Sequence, residues 1–142
     1  MIRKTIFLIF IGLSLLTLQA KSRKKTIENL PLHHTKWVLI EVFDSYVDHS
    51  PDTAFIIFYD NYKFYGNLGC NIFFGEYSFS KKRIKLDYSG STKKLCADMY
   101  VEEKFFKAIK NDITHYYIEK NTLYLLNKLK VICIFEGTST NE

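Results

Sequence analysis

The chain has 142 residues, 47% of them hydrophobic and 16% aromatic, with a formal net charge of +5. That is enough for one domain with a sizeable core, and too apolar for a disordered chain. The positive surplus is local: Arg3, Lys4, Lys21, Arg23, Lys24 and Lys25 all precede residue 26, where there is no acid, so the remainder is close to neutral. A nucleic-acid reader carries its charge on the fold, so that class of partner is not expected.

Residues 1–20 read as a secretory signal peptide. Arg3 and Lys4 form a positive start, Ile6 to Leu18 is a mainly apolar run of 13 residues, and Ala20 is a small residue at a cleavage position. A signal core of about 7–15 residues fits, whereas a membrane span needs about 20. Leu18 stands where a second small residue is preferred, so an uncleaved anchor is the other reading. No cysteine follows the run, which gives no support to a lipid-modified terminus. Residues 21–34 are then a basic leader and linker. Lys21, Arg23, Lys24 and Lys25 could touch an anionic membrane surface weakly, or simply stay solvated.

The next segments alternate in the manner of strands. Lys36 to Phe43 is the first; its uniformly aliphatic face, Val38, Ile40 and Val42, is expected to point inward, with Trp37 covering an end of the core. A polar loop leads to a strand over Thr53 to Tyr59. Asp60-Asn61 supplies the turn, since both tolerate positive φ, and Tyr62 to Leu68 runs back. Gly66 and Gly69 bracket a corner, where isolated glycines mark a bulge or a close approach, and Asn71 can pin the bend through its side chain. Phe73 to Phe79 and Arg83 to Tyr88 are joined at Lys81-Lys82.

Asp98 is placed to cap a helix running to about Asn111, with Val101, Phe105, Ala108 and Ile109 as its apolar stripe. Glu102 and Glu103 lie early and Lys107 and Lys110 late, which suits the helix dipole. Strands over Thr114 to Glu119, Thr122 to Leu126 and Lys130 to Phe135 close the chain, with tight turns at Lys120-Asn121 and Asn127-Lys128 and a polar tail from Gly137. Strands, one helix, then strands joined by hairpins make an α+β domain, mostly antiparallel and barrel-like.

Several residues carry a resemblance. Gly66-Asn67-Leu68-Gly69-Cys70-Asn71, then Phe74-Gly75-Glu76-Tyr77, then Ser91-Thr92 followed by Cys96, is similar to the pattern of the META/HslJ family. The early helical glutamate (Glu102 or Glu103), Tyr116-Tyr117, Leu123-Tyr124-Leu125 and the opening Trp37 also fit, so the likeness spans about residues 35–136. Departures are Asp60-Asn61 in place of an Asp-Gly turn, and Lys93-Lys94-Leu95 where a Met often precedes the second cysteine. The resemblance implies a small bacterial envelope or secreted domain, some relatives being lipid-anchored, with a link to heat response. It implies no catalytic activity and no cofactor.

Cys70 and Cys96 are the cysteines that match the family pattern. In an exported protein such a pair is read first as a disulfide, with two buried thiols as the alternative. Cys133 reads as a small buried hydrophobe. A catalytic cysteine needs a histidine within reach, and His33, His34, His49 and His115 are candidates only by being present. His33 and His34 lack a third ligand for a metal, and as neighbours they are expected to point apart. The aromatics Phe55, Phe58, Phe64, Phe73, Tyr77, Phe79 and Tyr88 either fill a core or line a cavity for an apolar, lipid-like ligand. The expectation is a non-enzymatic envelope or stress-related binding domain, whose partner is an envelope protein or a small apolar molecule. The corner residues Gly69, Cys70, Asn71 and Thr92 form its first candidate surface.

Overall fold

The computed structural model describes residues 28–48 and 54–139. The expected signal peptide, the basic residues of the leader and His49 lie outside them. Nine strands surround one helical segment: β1 (Thr35–Val42), β2 (Ser45–Tyr46), β3 (Phe55–Phe58), β4 (Lys63–Asn67), β5 (Ile72–Ser80), β6 (Arg83–Ser91), β7 (His115–Glu119), β8 (Thr122–Asn127) and β9 (Lys130–Ser139). The helix α1 (Tyr100–Lys107) lies between β6 and β7 and runs directly into a π-helical turn, Ala108–Asp112.

The strands form one sheet in the order β2-β1-β3-β4-β5-β6-β7-β8-β9, and β1 also pairs with β9, so the hydrogen-bonded neighbours close into a ring. Every pairing between named strands is antiparallel. The ring is uneven. β5 pairs with β6 from Phe73↔Ser91 to Ser80↔Arg83, whereas β6 meets β7 at Arg83↔His115 alone. Beyond that point the ladder ends, and the π-helical turn packs against β6.

The inward face of β1 differs from the expected one. Trp37 and Leu39 are fully buried, while Val38 and Ile40 are half-buried. A bulge on β1 explains the change: Leu39 pairs with Phe135 and Glu41 with Ile134, leaving Ile40 as the extra residue. The extra residue shifts the alternation by one, which is why Val42 still points inward. Trp37 sits in the core, not over its end, and its indole Nε1 donates to the Leu32 carbonyl at 3.0 Å.

The first hairpin also differs from expectation. Tyr62, at φ 61°, takes the left-handed position expected at Asp60-Asn61. The Tyr62 amide donates to the Tyr59 carbonyl and the Tyr59 amide to the Lys63 carbonyl, which is a three-residue loop built on a β-turn. In such loops the residue after the turn takes positive φ. Lys81, Lys120 and Lys128 take positive φ in the three later hairpins, and Phe43 and Asp44 do so between β1 and β2.

Two ends of the domain are better ordered than expected. The Asn29 side chain bonds the Ile118 carbonyl and the Lys120 amide, and Leu30 donates to the Lys120 carbonyl, so this part of the expected linker is docked on the fold. β9 continues through Gly137 to Ser139, paired with Thr35–Trp37, where a tail was expected to begin.

The interior is filled by side chains, with Trp37, Phe58, Phe64, Phe73, Phe105 and Phe135 fully buried. Phe105 of α1 brings the helix into the core, with its ring 5.6 Å from both Phe73 and Phe135. Each such ring contributes about 1.5–3 kcal/mol by its burial. Of the expected stripe on the helix, Phe105, Ala108 and Ile109 are buried and Val101 is half-buried against the core. The helix begins with Asp98 Oδ1 accepting the Tyr100 amide at 2.9 Å, but its α-helical part stops at Lys107 and the last turn is π.

The ring is tight at Gly75. A Cβ there would stand 2.3 Å from the Asp87 carbonyl oxygen and 2.5 Å from Phe64 Cζ, beside the bulge that shifts β5 against β6. Gly75→Ala should lower stability by about 1–3 kcal/mol in urea denaturation, because a backbone carbonyl cannot swing aside as a side-chain tip can.

Candidate functional site

The corner between β4 and β5 is held from the far side of the chain. Gly69, at φ 119°, makes the bend, and its amide donates to Asn67 Oδ1 at 2.8 Å. Asn71 follows and is only 3% exposed. Its Oδ1 accepts the Thr92 hydroxyl and the Lys94 amide, each at 2.7 Å, and its Nδ2 donates to the Lys94 carbonyl and to Glu102 Oε1. Thr92 Oγ1 in turn accepts the Ile72 amide at 3.2 Å. Every polar atom of the Asn71 side chain is therefore matched within the chain, as a buried amide requires.

Glu102 completes the arrangement. Its Oε2 accepts the Asn71 amide at 2.7 Å and the Cys70 amide at 3.3 Å, while Oε1 takes the Asn71 side chain. The helix dipole accounts for an acid near the helix start, but these three bonds tie α1 to the corner and give Glu102 a more specific task. Cys70 and Cys96 are disulfide-bonded, with Cα atoms 6.2 Å apart and a sequence separation of 26. A loop of that size contributes roughly 3–4 kcal/mol in the chain-entropy treatment. Gly69, Cys70, Asn71 and Thr92 are thus brought together and joined by Glu102, whose place early in the helix suits the dipole but does not announce these contacts. The early helical glutamate of the family pattern was the signal that could have placed it.

The stapled loop leaves large apolar side chains in solvent. Leu95, next to Cys96, is 98% exposed, and Tyr100 at the start of α1 is 57% exposed. Tyr100 is held in place, with Lys104 Nζ 4.3 Å from its ring centroid and also donating to Ser45 Oγ. The Lys104 ammonium and Ser45 lower the Tyr100 phenol below its ordinary value, because both favour the phenolate.

A second polar cluster lies by the first hairpin. His33 Nδ1 is 3.1 Å and His34 Nε2 2.7 Å from the two oxygens of Asp60. Adjacent residues were expected to diverge; His34 has φ 58°, and that left-handed step turns both rings toward one carboxylate. The hydrogen bond from His34 holds the Asp60 carboxyl below its ordinary value of 3.8. Beside it, Tyr77 is buried, donates its hydroxyl to the Tyr59 carbonyl at 2.9 Å, and has its phenol pushed up to about 12 chiefly by burial. His115 faces Thr114 Oγ1. Among the described residues no group of three or more His, Cys, Asp or Glu side chains is placed to hold a metal ion. Cys133 is buried on β9.

Two outcomes follow from these bonds. Glu102→Gln should cost about 1–3 kcal/mol despite its equal size, since one end of the amide would set a donor against a donor. Comparison of urea midpoints with the unaltered chain, both oxidised, measures it. For Tyr77 the folded phenol loses its proton near pH 12 and the unfolded one near 10, so above about pH 10 the unfolded state is favoured progressively until the folded phenol also ionises. Tyr77→Phe should lower stability near neutral pH by about 1 kcal/mol, the worth of the lost hydrogen bond. It should also flatten the decline above pH 10, which denaturation curves at stepped alkaline pH would read.

Solved structures share this architecture. An NMR structure is 21% identical, with 78% of this chain and 94% of that one covered, and superposes with a TM-score of 0.61. A second NMR structure, from Burkholderia xenovorans, is 18% identical over 76% of this chain and 84% of its own, TM-score 0.62. A crystal structure of a DUF4847 family protein from Bacteroides vulgatus is 15% identical over 78% and 96%, TM-score 0.57. At these identities the likeness is one of fold. No curated protein matches the chain. The META domain model matches residues 30–138, which takes in all nine strands, the helix and the stapled corner but for the last residue of β9, and the chain belongs to the META domain family.

Proposed function

We propose that the chain is an exported, non-enzymatic binding domain of the HslJ-like type that serves the cell envelope, with the stapled corner as its contact surface. The observation that carries this reading is Leu95, almost wholly in solvent on a loop fixed by the Cys70–Cys96 disulfide and by Asn71. An exposed apolar side chain on a rigid base loses little conformational entropy when a partner covers it. Gly69, Cys70 and Thr92 would frame the contact, and Asn71 would hold its shape. A disulfide suits an oxidising compartment such as the periplasm or the exterior. A sulfur in a disulfide is not a nucleophile, which supports binding over catalysis at this corner.

The test has two arms. Intact mass of the full chain produced with export should begin at Lys21. When unfolded without reductant, that product should alkylate at one cysteine, Cys133. A product still beginning at Met1 would replace an exported domain with an anchored one. In the second arm, an envelope protein retained by the immobilised domain should be lost with Leu95→Asp while the fold persists by circular dichroism; equal recovery by both would remove this surface.

A further inference from the structure

We propose that the free edge of β6 is a docking site for an extended acidic segment of a partner protein, which would add to the sheet as a further strand. The ladder between β6 and β7 stops after one residue pair. Ile84 donates its amide to the Thr114 carbonyl at 3.1 Å, but the Thr114 amide, which would have answered the Ile84 carbonyl, instead donates to Leu126 at 2.8 Å. An antiparallel pair normally exchanges both bonds. Backbone groups alternate sides along a strand, so Leu86 faces the same way as Ile84, away from β5. The Ile84 carbonyl and both the amide and carbonyl of Leu86 have no backbone partner on that side among the described residues.

These groups open on a groove of about 600 Å³ between β6 and the π-helical turn. Its inner wall is apolar, made by Ile84, Leu86, Ile109 and Ile113, all buried. Its outer rim is basic. Arg83, Lys85 and Lys110 line it against one acid, Asp87, which is already paired with Lys85. A strand in this groove would place alternate side chains on the apolar wall and the others at the basic rim. The edge thus asks for a segment that alternates apolar and acidic residues, and main-chain bonds would supply much of its affinity. A second copy of this chain paired through β6 would set Arg83 and Lys85 against their own kind, so it is the less suited occupant.

The probe is an acetylated, amidated hexapeptide of alternating valine and glutamate, titrated into the isotopically labelled full chain by NMR. Amide shifts should concentrate on Lys85–Tyr88 and Ile109–Thr114, with the Leu86 amide gaining protection from exchange. The double variant Arg83→Glu with Lys110→Glu, both changes on the groove rim, should weaken binding about tenfold or more while leaving the free spectrum of the core intact. Methylating the peptide amides on one alternate set should abolish binding, and on the other set should spare it. The proposal fails if no shift occurs, if a valine–lysine hexapeptide binds as well, or if both methylated peptides bind. It also fails if the free chain proves to dimerise through these same amides.

Discussion

A ring of strands that meets itself at one residue pair must be filled elsewhere, and that constraint shapes this domain. β6 and β7 pair only at Arg83 and His115, and the π-helical turn packs against β6 beside that short seam. An eight-residue helix has little stability of its own. It is kept in place by Phe105 between Phe73 and Phe135, by the Glu102 carboxylate on the corner, and by the disulfide just before its start. Apolar burial sets its depth, while the carboxylate and the disulfide set where its first turn lies. The two kinds of restraint act on different ends of the same short element, so neither is redundant.

Much of this arrangement was legible in the sequence, because hairpins announce themselves locally. Eight of the nine strands and the helix could be placed from alternation, turn residues and a helical stripe. Errors arose where a single residue broke local periodicity. The bulge at Ile40 exchanged the faces of β1, so a uniformly aliphatic row was misread as the inward one. The two-residue strand β2 offers too short a pattern to read, and the π-helical turn has no marker of its own in the sequence.

The candidate site was legible in a different way. Spacing alone does not single out Cys70 and Cys96; the family likeness does, and the two are bonded. Glu102 was visible in the same pattern, yet its task depends on a contact 31 residues away that no local rule reports. The meeting of His33 and His34 on Asp60 was invisible, since it needs a left-handed backbone step at a residue that seldom takes one. Long-range polar contacts are the part of a fold that sequence patterns convey least.

The pairing of β1 with β9 has a consequence for the order of assembly. Thr35 lies opposite Ser139, and β3 offers β1 only two residue partners, Ile56 for Trp37 and Phe55 for Val38. The first strand therefore lacks most of its neighbours until the last has arrived. A chain that emerges from the ribosome with its N-terminus leading has to leave this strand largely unpaired until β9 has followed. Non-local closure of this kind is slow and leaves sheet edges unprotected meanwhile. Closure of the ring thus waits on β9, and β1 meets its main partner only when nearly the whole domain is at hand.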